Sequence, residues 1–143
     1  MERIRNLLPV LRGMVPRRIE LGFEPGTGSC LLEGDPQAFD QVLVNLVSNA
    51  RDAIPGHGTI LLRCQGGEHG FQLEVVDTGL GVPEAVQARL FEPFFTTKPT
   101  GTGLGLSSTR AIVDGFGGRI ELDSAPGLGS SFRLRFPVQG GND

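Results

Sequence analysis

The sequence predicts an α/β sandwich: a mixed, mostly antiparallel sheet covered on one face by helices. Three observations carry this. Short segments such as "FQLEVVD" (71–77) alternate apolar and polar residues, as half-buried strands do. Two longer stretches, "DPQAFDQVLVNLVSNARDAI" (35–54) and one running from about Gly103 to Phe116, repeat their apolar residues at helical spacing. The strands come mostly in adjacent pairs rather than in strict alternation with helices, which favours hairpins over parallel βαβ units.

The elements follow in order. "IRNLLPVL" (4–11) reads as a short helix broken near Pro9. "IELGFE" (19–24) and "SCLLEG" (29–34) read as strands around the turn "PGTG". Asp35-Pro36 is a strong helix start, with Asp as N-cap and Pro at the first helical position, and Pro55-Gly56 stops that helix near Ile54. "TILLRC" (59–64) and "FQLEVVD" form a hairpin pair joined by "QGGEHG". "VPEAVQARLF" (82–91) is a short helix. The second long helix ends at Gly117-Gly118. "GRIELDS" and "SSFRLRFP" close the chain as a hairpin with Phe132, Leu134 and Phe136 on one face.

At 143 residues, the whole span 1–143 is expected to be a single domain with one core. A hydrophobic fraction of 38% with 20% charged residues fits a soluble globular protein and argues against a disordered one. Tyr and Trp are absent, so nine Phe must supply all the aromatic burial. The formal charge of −3 offers no electrostatic reason to expect nucleic acid or an anionic membrane as partner. No apolar run approaches the roughly 20 residues of a membrane span, and the basic N-terminal stretch lacks the apolar core of a secretory signal. Cys30 and Cys64 have neither CxxC spacing nor a His cluster, so reduced, buried thiols and a cytoplasmic location are expected.

On a helical wheel, Phe39, Leu43, Leu46, Ala50 and Ile54 form one apolar stripe of the first long helix. Gln41, Asn45, Ser48, Asn49 and Asp52 gather opposite. A solvated face would usually be Lys, Glu and Arg, and Asn is a poor helix former. Two readings stand: an ordinary solvent face, or neutral oxygens that complete a Mg²⁺ shell otherwise made of phosphates and water. "VVDTGLGVP" (75–83) likewise has two readings. Asp77 either makes a local Asp-x-Gly turn, or accepts a hydrogen bond from an exocyclic amine while Gly79 and Gly81 allow a flat ring to approach. A carboxylate there suits adenine, not guanine. The loop "FFTTKPTGTGLGLSSTR" (94–110) is either a connector or a cradle in which Lys98 and the amides from Gly101 to Leu106 hold phosphates.

Taken in order, these segments resemble the ATP-binding catalytic domain of sensor histidine kinases. "DQVLVNLVSNARDA" is similar to the N box, "DTGLGVP" to the first glycine box, "FEPFFTTK" to the F box and "GTGLGLS" to the second glycine box. "SAPGLGSSFRLRFP" resembles the last shared stretch of that domain, and the F-box and glycine-box form resembles the nitrogen-regulatory and oxygen-sensing branch. The resemblance spans about Leu7 to Val138. It implies Asn49 as the Mg²⁺ ligand, with Asn45 its companion one turn earlier and Asp52 on the same face. It implies Asp77 as the reader of adenine above Gly79 and Gly81, with Ser130 nearby. It further implies Thr97, Lys98, Gly101, Thr102, Gly103, Leu104, Gly105 and Leu106 around the phosphates, with about Phe95 to Gly103 forming a lid over ATP.

Related gyrase-type ATPases carry a glutamate where this chain has Asn45, and an amide cannot act as general base. The resemblance therefore implies phosphoryl transfer rather than hydrolysis, with Asn45, Asn49 and Lys98 as the catalytic set. His57 and His69 lie in Gly-rich turns without the surroundings of the family's phosphorylated histidine. The acceptor is thus expected on a separate dimerisation and histidine-phosphotransfer domain, with a response regulator downstream, and this chain is expected to be an excised, monomeric piece. A docking module without transfer and a serine kinase of the anti-sigma type are the alternatives. Phe116-Gly117-Gly118 departs from the family's usual His-Gly-Gly, for which altered packing without lost catalysis is expected.

Overall fold

A computed structural model describes residues 2–27, 34–67, 70–93 and 105–137. Helix α1 spans Glu2–Gly13 and strand β1 Ile19–Glu24; α2 follows at Pro36–Asp52. Strands β2 (Gly58–Gln65) and β3 (Phe71–Asp77) lead to the short α3 (Glu84–Gln87), then α4 (Gly105–Gly115), β4 (Arg119–Ser124) and β5 (Ser130–Phe136). The sheet runs in the order β1-β2-β3-β5-β4, parallel between β1 and β2 and antiparallel elsewhere. This is the mixed, mostly antiparallel α/β sandwich that the patterning predicts.

Strand alternation places Ile60, Leu62, Leu73, Val75, Phe132 and Leu134 under the helices. Onto them α2 lowers Phe39, Val42, Leu43, Leu46, Val47 and Ala50, all buried. Its start is as expected: Asp35 is the N-cap, its Oδ1 accepting from the Gln37 amide at 2.9 Å, with Pro36 next. Its end is held from outside, because the Arg18 guanidinium donates to the carbonyls of Ile54 and Gly56.

Two expectations are corrected. Pro9 does not break α1, which continues to Gly13. Proline removes one backbone donor, but Pro9 lies on the exposed side, while Ile4, Leu8 and Leu11 are buried and hold both halves against the core. The helix in "VPEAVQARLF" is a single turn, Glu84–Gln87, with none of its residues buried. The expected strand "SCLLEG" lies almost wholly outside the described residues, as do Cys30 and His69. Cys64 is buried, and that burial pushes its thiol up to about 11, far from a reactive thiolate.

Phe116 accounts for its own departure from His. Its ring packs edge-on against Phe39 at 6.3 Å and Phe136 at 5.8 Å, extending an aromatic group that also includes Phe71. After it the chain leaves α4 by a Schellman turn: Gly118 N–H donates to Val113 and Gly117 N–H to Asp114, with Gly117 at φ +78°.

The other face of the sheet carries charge. Glu24, Arg63, Glu74, Arg133 and Glu121 stand side by side in register across all five strands, alternating in sign. Ion pairs join Arg63 to Glu24 at 3.1 Å and to Glu74 at 3.4 Å, and Arg133 to Glu74 at 3.6 Å.

The packing predicts a contrast measurable in urea melts. Leu46→Ala, at a fully buried position of α2, should cost about 2–5 kcal/mol, and Asp35→Ala about 1 kcal/mol from the lost cap. Equal costs would contradict the assignment of α2 as the central core element.

Candidate functional site

The polar face of α2 is the place where the sequence motifs meet. At its C-terminal end the Ala53 carbonyl accepts from the Leu80 amide at 2.9 Å, which seats the turn after β3 against the helix. One turn before Asn49, the Asn45 Nδ2 donates to the Gly105 carbonyl and to Thr109 Oγ1, each at 3.2 Å, which joins α2 to the first turn of α4. Two segments far apart in sequence, the turn after β3 and the start of α4, are thus tied to one helix.

Four of the five polar side chains on that face have partners. Gln41 Nε2 donates to Asn45 Oδ1 at 2.8 Å. Arg51 donates to Ser48 Oγ at 3.1 Å and pairs with Asp52 at 3.1 Å. Only the half-buried Asn49 carboxamide meets no hydrogen-bond partner among the described residues. A neutral oxygen presented this way suits a hard cation whose other ligands are phosphate and water, and no cluster of three His, Cys, Asp or Glu among the described residues competes for one. The two asparagines therefore differ: Asn45 is engaged within the protein and Asn49 is available.

Asp77 ends β3, only 3% exposed. Its Oδ1 accepts from the Gly79 amide at 2.8 Å, the local turn that Asp-x-Gly predicts. Burial raises its pKa above the usual carboxylate value, against the opposing pull of the Gly79 and Ser130 amides. A buried carboxylate at a strand end is an acceptor able to select a ligand donor such as an exocyclic amine.

The glycines around it answer first to the protein's own backbone. A Cβ on Gly79 would lie 2.4 Å from the Ala53 carbonyl oxygen, and one on Gly81, at φ +77°, 2.0 Å from that of Ala125. Gly129 was not singled out by the sequence, yet a Cβ there would sit 2.2 Å from the Asp77 carbonyl oxygen. The β4–β5 turn is thereby pressed against the end of β3. Ser124 Oγ locks it, accepting from the Val82 amide at 2.8 Å and donating to the Gly129 carbonyl at 2.8 Å. Ser130 is buried, its hydroxyl 2.9 Å from Ser124 Oγ. Sequence reasoning missed Ser124, at the end of β4, and Thr109, inside α4, since a single hydroxyl that bonds across elements leaves no periodic signal.

Gly105 opens α4, exposed, and Leu106 is half-buried against the core. Thr97, Lys98, Gly101, Thr102, Gly103 and Leu104, with the proposed lid, lie outside the described residues.

Comparison with known proteins gives the family and the fold. Residues 34–140 match the family described as histidine kinase-, DNA gyrase B- and HSP90-like ATPase. The chain is similar to sporulation kinase A of Bacillus subtilis (strain 168), 41% identical over 109 residues covering 76% of this chain and 18% of that protein. It spans less than a third of each curated relative compared. Among solved structures it is similar to the nucleotide-free catalytic domain of histidine kinase ThkA. That likeness has TM-score 0.77 and 33% identity, covering 96% of this chain and 88% of that one. Full-length ShkA, solved in complex with AMPPNP, shares the fold with TM-score 0.83 at 26% identity, covering 96% of this chain and 29% of that one.

The raised pKa of Asp77 sets a sign. Its folded value exceeds the unfolded one of about 3.9, so its contribution to stability is fully present below that value. It is lost as pH rises through the folded pKa. In nucleotide-free thermal melts, the stability of Asp77→Asn relative to wild type should therefore rise as pH increases above about 4. A difference that does not change with pH would show that the folded pKa of Asp77 is not raised.

Proposed function

The chain belongs to the histidine kinase-, DNA gyrase B- and HSP90-like ATPase family, as a catalytic ATP-binding domain of the histidine-kinase kind. From this we propose that it holds Mg²⁺–ATP beside the polar face of α2 and donates the γ-phosphoryl group to a histidine on a separate dimerisation and phosphotransfer domain. One observation carries the reading: Asn49, with no partner among the described residues, lies between the buried Asp77 turn and the first turn of α4 on a single helix face.

Each residue then has a task. The Asp77 carboxylate accepts from the exocyclic amine of adenine, which guanine replaces with an oxygen acceptor that a carboxylate repels. Asn49 contributes a neutral oxygen to Mg²⁺, which when bound would neutralise phosphate charge. The N-terminus of α4 favours the negative phosphates through its dipole, and Lys98 is assigned to the terminal phosphates. In the transfer, an imidazole nitrogen of the acceptor bonds to the γ-phosphorus. The bond to the β–γ bridging oxygen breaks, and ADP departs with that electron pair while the imidazole proton goes to solvent. Asn45 supports transfer over hydrolysis, because an amide whose NH₂ faces the Gly105 carbonyl offers no base to a water.

The isolated domain is read as a monomer that works in the cytoplasm with its acceptor domain, and through it a response regulator. No helix among the described residues is long and apolar enough to cross a membrane.

Calorimetric titration tests the pocket. Wild type should bind Mg²⁺–ATP and not GTP, and Asp77→Asn should weaken ATP binding by at least about tenfold, as expected for a lost hydrogen bond to a charged group. A folded wild type that binds GTP equally well would refute the assignment of Asp77. Asn49→Asp should change the Mg²⁺ dependence of binding. With the acceptor domain supplied, Lys98→Ala should slow transfer more than it weakens ADP binding, and unchanged transfer would remove Lys98 from the site.

A further inference from the structure

Thr109 is fully buried, one of only two buried residues on α4, the other being Val113. Its Oγ1 donates to the Gly105 carbonyl at 2.8 Å, back across the first turn of the helix. Asn45 Nδ2, from α2, donates both to that same carbonyl and to Thr109 Oγ1. The three groups close a triangle across sixty residues of sequence.

The orientation of Asn45 within this triangle is forced. The Gly105 carbonyl can only accept, so the carboxamide must turn its NH₂ toward α4 and its oxygen away. That oxygen meets Gln41 Nε2, on the previous turn of α2. Val113 anchors the later half of α4 in the core, while in the first turn Gly105 and Ser108 are exposed, Ser107 is half-buried and Leu106 packs against the core from a half-buried position. Beside that apolar contact, the polar triangle ties the start of α4 directly to α2.

We propose that Thr109, acting through Asn45, is a positioning residue that fixes the N-terminal turn of α4 at a set distance from Asn49, and thereby tunes affinity for the phosphate groups of the nucleotide without touching its base. This inference rests on the nucleotide reading given above. It also gives Asn45 a different task from Asn49: the first holds the helix, the second faces the ligand. A threonine hydroxyl suits the position because it donates and accepts at once, and its methyl group fills the buried space.

The test compares Thr109→Val, which keeps the shape and removes the hydroxyl, with Thr109→Ser, which keeps the hydroxyl. ATP and adenosine are titrated into each domain, since adenosine reports the base pocket alone. Thr109→Val should lose about tenfold in ATP affinity, the scale of one or two lost hydrogen bonds, with adenosine affinity unchanged and Thr109→Ser close to wild type. A merely structural residue would weaken both ligands together. Urea midpoints of Asn45→Ala, Thr109→Val and the double variant provide a measure that needs no nucleotide, and the two single shifts should be non-additive. An ATP-to-adenosine ratio unchanged by Thr109→Val, a Ser variant as weak as the Val variant, or additive midpoints would each overturn the proposal. If Thr109→Val fails to fold, Thr109→Ala takes its place in both measurements. A folded wild type that binds neither ligand would overturn the nucleotide reading itself, and the positioning role with it. The urea cycle would still show whether hydroxyl and carboxamide are coupled.

Discussion

One helix has to satisfy two incompatible solvents. The apolar side of α2 is sealed against the sheet through Leu43, Leu46 and Val47, none of which retains any exposed area. Its other side carries amides and hydroxyls whose value lies in staying close to water and to a ligand. Because the two sides share one backbone, the apolar packing fixes the rotation of the helix, and that rotation fixes where Asn45 and Asn49 point. A helix held by propensity alone would not be so constrained, since isolated helices of this length are marginal in water. The precision of the polar face comes from the core behind it.

The same economy appears around Asp77. A carboxylate at 3% exposure is unfavourable, and the fold offsets this only partly, with amides from Gly79 and Ser130. The surrounding turns are braced by contacts that admit no Cβ: Gly79 against Ala53, Gly81 against Ala125, Gly129 against Asp77 itself. Rigid backbone around an unfavourably buried charge is the expected arrangement where selectivity, rather than stability, is served. It also relocates the reason for the glycines. They allow the protein's strands and turns to close on each other, and the shape left over is what a ligand would meet.

The main architecture was legible because its signals were local and redundant. Asp35-Pro36, a regular apolar stripe and Pro55-Gly56 all specify the same helix, and α2 forms within two residues of the expected end. The β2–β3 and β4–β5 pairs were legible because their partners are neighbours in sequence. The parallel pairing of β1 with β2 was not, since it joins segments separated by a whole helix and leaves no local trace. Pro9 misled because a helix-breaking residue was weighed without the tertiary contacts of Ile4, Leu8 and Leu11. At the site, Asp77 and the two asparagines stood out by composition. That Asn45 is engaged while Asn49 has no hydrogen-bond partner among the described residues did not, because Gln41, Gly105 and Thr109 decide it, and only three-dimensional structure brings them together.

The outer face of the sheet has a consequence of its own. Its row of alternating charges, Glu24 to Glu121, is internally neutralised nearly everywhere, so it projects little field beyond a few ångströms. Such a face gives another macromolecule neither an apolar patch to bury nor a strong single-sign field to follow. The residues of the proposed site lie on the opposite, helical side.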